Sequence, residues 1–131
     1  MKKIKFGSTE ILGYMGGLIW AAVILLRGIS FSGNSVYLFL VGILPNLGAA
    51  WVITLFGKWI ILFVCKQDYS IKKHCIFCFG VIILAFVSEL IHDSFLNSPF
   101  DIYDIVIAII AQLTIFLIPI AAKDKYFKNY G

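Results

Sequence analysis

No part of this chain is polar enough to form a separate soluble domain, and no internal repeat or low-complexity segment interrupts it. Cysteine is scarce: Cys65, Cys75 and Cys78 are too few for a disulfide framework. There is no HExxH, no G-x-S-x-G, no P-loop and no Ser–His pair at an elbow, so the common metalloprotease, hydrolase and nucleotide-binding signatures are missing. No small-x-small cleavage site follows Leu26 before Arg27, so the basic start Met1–Lys5 and its apolar run read as a retained span rather than a cleaved signal. Between Ser88 and Ile105 there is no lysine or arginine, although five acid or histidine side chains gather there.

What is present is apolar. The chain has 131 residues, 61% of them hydrophobic, and a mean hydropathy of +0.97. Soluble domains are closer to half apolar. The composition predicts one all-α integral membrane domain over residues 1–131. The net charge of +4 then reflects membrane topology, because Lys and Arg collect in cytoplasmic loops, and nucleic acid is not an expected partner.

Four spans are expected, at about 11–26, 46–65, 74–91 and 102–122. Ser8 or Thr9 suits the N-cap of the first. Apolar residues run on from Val36 to Cys65, and thirty residues of helix would reach about 45 Å, beyond a hydrocarbon core of about 30 Å. A break at Pro45 is therefore expected, with Val36–Leu44 a short interfacial or re-entrant segment before helix two. The fourth span carries Pro119 in its last turn.

Lys and Arg outside the spans number three at the N-terminus (Lys2, Lys3, Lys5), one in the first loop (Arg27), three in the second (Lys66, Lys72, Lys73), none in the third and three in the tail (Lys123, Lys125, Lys128). This alternation predicts a compact four-helix bundle in the cytoplasmic membrane, with both termini inside. The loop at 92–101 then faces outward, with Arg27, Asn34 and Asn46 on the same side.

The acidic stretch therefore forms an outer cluster. Glu89, His92 and Asp93 stand at i, i+3 and i+4 on one helical face. Asp101 suits the N-cap of span four, and Asp104 follows one turn later. Carboxylates within a span normally face the bundle interior and find a partner, so Glu89–Arg27 or Asp104–Arg27 is the expected ion pair. The same groups could hold a hard cation, and His92 with carboxylates a zinc or manganese ion, which makes Glu89, His92 and Asp104 the metal candidates. No cofactor is specified.

The spacing Glu89–x11–Asp101–x2–Asp104, with a proline-containing turn between and an apolar helix after, resembles the C-terminal half of VanZ-like membrane proteins. The resemblance covers about residues 80–120. That family's motif runs Glu-x-x-Gln, a turn with Arg, then Asp-x-x-Asp-x-x-x-Asn-x-x-Gly. Here His92 stands at the Gln, Ser98 near the Arg, Ala108 at the Asn and Ala111 at the Gly. The resemblance implies a cell-envelope context, low-level resistance to the glycopeptide teicoplanin, and an influence on glycopeptides or cell-wall precursors at the outer face. The functional cluster expected on these grounds is Glu89, His92, Asp93, Asp101, Asp104, Arg27 and Asn46. No catalytic residue is assigned. A membrane immunity protein or a small non-catalytic subunit of a membrane complex is the alternative. A transporter is disfavoured because the mid-membrane is polar only at Thr54, Lys58, Gln112 and Thr114. A metal-dependent lipid-headgroup enzyme also stays open.

Other features have plainer readings. Cys75-Ile-Phe-Cys78, with His74 and Cys65, could form a zinc or redox site only if all four converge; inert buried thiols are the simpler expectation. Lys58 lies eight residues from Lys66, about 12 Å along a helix, so its stem can snorkel to the headgroups or pair within the bundle, for example with Gln112. Gly13-x-x-x-Gly17 is a close-packing motif, serving internal packing or a homo-oligomer. Asn46 could sit at a helix start and aim it at an anion. Trp20, Trp51, Trp59, Tyr14, Tyr37 and Tyr103 read as interfacial and lipid-facing aromatics. The basic tail is expected on the inner leaflet.

Overall fold

A computed structural model describes residues 6–29 and 34–124. Four helices follow one another: α1 (Ser8–Arg27), α2 (Ser35–Trp59), α3 (Ile71–Phe95) and α4 (Ile102–Ala121). Each is long and apolar enough to cross a membrane. The basic N-terminal lysines and the tail from residue 125 lie outside the described residues.

The two described termini meet. Asp124, just past α4, accepts the Ser8 backbone N–H at 2.8 Å, and the Glu10 carboxylate accepts that of Gly7 at 3.0 Å. The first turn of α1 is thus capped partly by the far end of the chain, one residue earlier than the Ser8 or Thr9 caps expected. Both described termini lie at one end of the bundle. The loop between α3 and α4 lies at the other.

The helix break expected at Pro45 does not occur. Helix α2 runs through it from the Asn34 cap, whose Oδ1 accepts the N–H of Val36 at 3.1 Å. It continues into a π-helical turn, Ile60–Val64. Residues 36–44 are therefore part of one long helix and not a separate segment. Proline at 45 leaves the Val41 carbonyl without its usual donor, and a partner from another helix stands near it: the Arg27 guanidinium at the end of α1 reaches that carbonyl at 3.5 Å. Tyr37 ties the same two helices, its hydroxyl donating to the Leu26 carbonyl at 2.9 Å. At about 1.5 Å per residue the thirty residues Ser35–Val64 exceed a hydrocarbon core of about 30 Å, so α2 extends past it or tilts.

Proline recurs in α4 with the same solution. Pro119 leaves the Ile115 carbonyl without a helical donor. The imidazole of His74, from the first turn of α3, supplies one at 2.8 Å. Within a membrane such freed groups must be satisfied inside the protein.

Helix α4 packs against all three others, while α1 and α3 do not pack on one another. Its small buried residues Ala108 and Ala111 allow close approach. Gly16 and Gly48 bring α1 and α2 together: a Cβ on Gly48 would sit 2.5 Å from the Gly16 carbonyl oxygen. Gly13 faces the Leu55 side chain of α2, so it serves internal packing. Trp51 is buried rather than lipid-facing, because its indole N–H donates to the Ala111 carbonyl at 2.9 Å. Beside it, the Gln112 amide donates to the Ala50 carbonyl at 3.2 Å and its oxygen meets the Thr54 hydroxyl at 3.1 Å. Such interhelical bonds contribute about 0.6 kcal/mol each. The outward surface is a belt of exposed Leu, Ile, Val and Phe, as lipid requires.

Candidate functional site

At the end of the bundle opposite the termini, three helices converge on a cavity of about 170 Å³. Asn46 comes from α2, Ser88 and Glu89 from α3, and Asp104 from the first turn of α4. The rest of the wall is apolar, including Ala50, Ile53 and Val81. Among the described residues no lysine or arginine lines it.

Local chemistry sets each carboxylate in place. Asp101 is the N-cap of α4, accepting the Tyr103 N–H at 2.9 Å, as the sequence indicates. Its own backbone N–H donates to Glu89 Oε2 at 3.2 Å. Glu89 is thereby pulled across to α4 and is only 8% exposed. The Asp104 carboxyl bonds with the Asn46 side chain and meets the Glu89 carboxyl. The turn that permits this closes at Asn97, whose φ of 51° is left-handed and tolerated by asparagine.

The result is an acceptor-rich floor in an apolar wall. Two carboxyl groups and one amide oxygen can be satisfied there by a proton, a cation or a donor-bearing group. Among the described residues no three of His, Cys, Asp and Glu converge as metal ligands.

Of the expected cluster, Asn46, Glu89 and Asp104 share the cavity. Asp101 supports Glu89 from outside it, and half-exposed His92 approaches Glu89 with Nδ1 at 3.8 Å. Asp93 is exposed and does not line it. Arg27 is on the Val41 carbonyl rather than on either carboxylate. Asn46 lies within α2, not at a helix start, so it offers a side-chain amide and no helix N-terminus.

A second polar cluster lies near the termini. Lys58 pairs within the bundle rather than snorkelling: its Nζ is 2.5 Å from Glu10 Oε1, with both side chains 1% exposed. Lys58 also lies over the Tyr69 ring, 5.7 Å from its centroid. The Tyr69 hydroxyl is 2.7 Å from His74 Nδ1. Because the Ile115 carbonyl can only accept, His74 Nε2 carries a hydrogen, and in a neutral imidazole Nδ1 would take the Tyr69 hydroxyl hydrogen. Burial pushes the Tyr69 phenol up from its ordinary value, which keeps it a donor. Phe116 stacks on the imidazole with centroids 5.9 Å apart.

His74 is thus held by two hydrogen bonds and the Phe116 ring. Of the thiols expected to be buried, only Cys78 is, while Cys65 and Cys75 are exposed, and the four-ligand convergence does not form among the described residues. Glu10 is the functional-looking residue that sequence reading passes over. It sits in the first turn of α1 and Lys58 in the last turn of α2. Consecutive antiparallel helices place those turns side by side, which was the available signal.

No family model, curated protein or solved structure matches this chain.

Proposed function

We propose that this is a VanZ-like protein of the cytoplasmic membrane whose acidic pocket opens on the outer surface and alters how glycopeptides or cell-wall precursors behave there. The observation that carries the reading is the convergence of Glu89 and Asp104 on one cavity with Asn46. Glu89 and Asp104 are two of the positions that the resemblance selects. A carboxylate inside a span is expensive and normally functional, and this pair borders a cavity rather than an ion pair with lysine or arginine. Orientation is supported by charge. Lys66, Lys72, Lys73 and Lys123 stand at the end that holds both described termini, and the positive-inside tendency assigns that end to the cytoplasm.

The test is teicoplanin susceptibility of a host expressing wild type, Glu89→Gln, Asp104→Asn or Asp93→Asn at matched membrane levels. Wild type and Asp93→Asn protect, and the two pocket variants do not. Strains indistinguishable from vector would end the glycopeptide reading. Protection by all four would remove the pocket from it.

A further inference from the structure

We propose that the pocket is the head-group end of a lipid site, and that its occupant is a membrane lipid whose head carries a protonated primary amine. This rests on the assignment of the Asn46–Glu89–Asp104 pocket as the functional site and names what enters it.

The pocket does not end at its apolar wall. Ile53, Val81 and Leu84 line it and also line a second cavity of about 340 Å³, which extends along α2 and α3 towards the termini. The second cavity is completed by Ile76, Phe77 and Gly80 and presents almost no polar atoms. At Gly80 the wall borders open space, for no atom lies within 4 Å of where its Cβ would be. From Glu89 to Ile76 along α3 is thirteen residues, about 20 Å at the helical rise. One leaflet of hydrocarbon is about 15 Å deep. The groove is therefore long enough for an acyl chain whose head rests between Asn46, Glu89 and Asp104.

Charge selects the head. The polar end offers two carboxyl groups and an amide and, among the described residues, no lysine or arginine to neutralise them. A primary ammonium brings one positive charge and three N–H donors, matching two carboxyl groups and an amide oxygen. A quaternary ammonium has the charge without the donors, and a glycerol head has donors without the charge. Both should bind less well than ethanolamine.

The experiment is native mass spectrometry of the full chain in detergent, with dioleoyl phosphatidylethanolamine, phosphatidylcholine or phosphatidylglycerol added separately. Wild type is expected to retain one ethanolamine lipid with roughly tenfold preference over either of the others, as charge-assisted hydrogen bonds to a partly buried carboxylate allow. Glu89→Gln with Asp104→Asn should abolish the preference while still binding lipid. Gly80→Phe, which fills the groove, should lose bound lipid whatever its head. Gly80→Leu repeats that test if the phenylalanine variant does not fold. Equal retention of all three lipids by wild type, or unchanged binding in the groove variant that folds, overturns the proposal. A lipid preference without any teicoplanin phenotype would leave the lipid site standing and defeat the glycopeptide reading. A carboxylate-dependent phenotype without lipid preference would do the reverse.

Discussion

His74 and Pro119 are complementary: the proline deprives the Ile115 carbonyl of its helical hydrogen bond, and the imidazole from α3 replaces it at 2.8 Å. Removing the histidine should therefore matter more while the proline is present. His74→Leu orphans the Ile115 carbonyl and the Tyr69 hydroxyl, each at about 1–3 kcal/mol. Pro119→Ala returns the missing N–H to α4. A double-mutant cycle in mixed-micelle unfolding should show a coupling of about 0.5–3 kcal/mol, with His74→Leu less damaging in the Pro119→Ala background. Strictly additive effects would contradict the relationship.

The Glu10–Lys58 pair predicts a second cycle. Either Glu10→Gln or Lys58→Met leaves one charge buried without its partner, and each should cost about 3–5 kcal/mol. Glu10→Gln combined with Lys58→Met removes both charges and should cost less than the two single changes together. The same unfolding assay reads the difference.

Tyr69 makes a pH prediction. Its phenol is held above the ordinary value by burial, so the folded state favours the protonated form. The sign follows: its contribution to stability is fully present below about pH 10, the unfolded value, and is lost as pH rises towards the folded one. Ultraviolet titration of wild type minus Tyr69→Phe should show no tyrosinate absorbance from this residue at pH 10. A normal titration midpoint would contradict the buried hydroxyl.

Glycines should divide by what surrounds them. Gly48→Ala drives a Cβ against the Gly16 backbone and should destabilise by about 1–3 kcal/mol through forced separation of α1 and α2. Gly42, with nothing within 4 Å, should accept alanine and gain up to about 1 kcal/mol in helix propensity. Thermal melts of both variants decide it.

Much of this architecture is legible from residue order. Hydropathy marks four helices, and Asp101 reads as a cap because an acid after Pro99-Phe100 precedes an apolar run. The pocket's carboxylates stand out because charge inside a span is rare. Pro45 misleads because local rules describe what proline removes from its own helix, whereas Arg27, eighteen residues earlier, supplies the missing partner. Lys58 misleads in the same way, since its partner Glu10 is forty-eight residues distant. Trp51 looks interfacial by type and is buried because small residues on α4 admit its ring. Long-range partners of polar groups are the part that composition and periodicity do not carry.

The pocket can act on envelope components only if it opens away from the cytoplasm. The direct test places single cysteines on a background with Cys65, Cys75 and Cys78 changed to serine. One variant restores Cys65, exposed near the termini end; the other carries Ser98→Cys in the α3–α4 loop. Intact cells are treated with a membrane-impermeant maleimide before and after permeabilisation. The account predicts labelling of Ser98→Cys from outside and of Cys65 only after permeabilisation. Labelling of Cys65 in intact cells, with Ser98→Cys protected, would turn the pocket inward and contradict it.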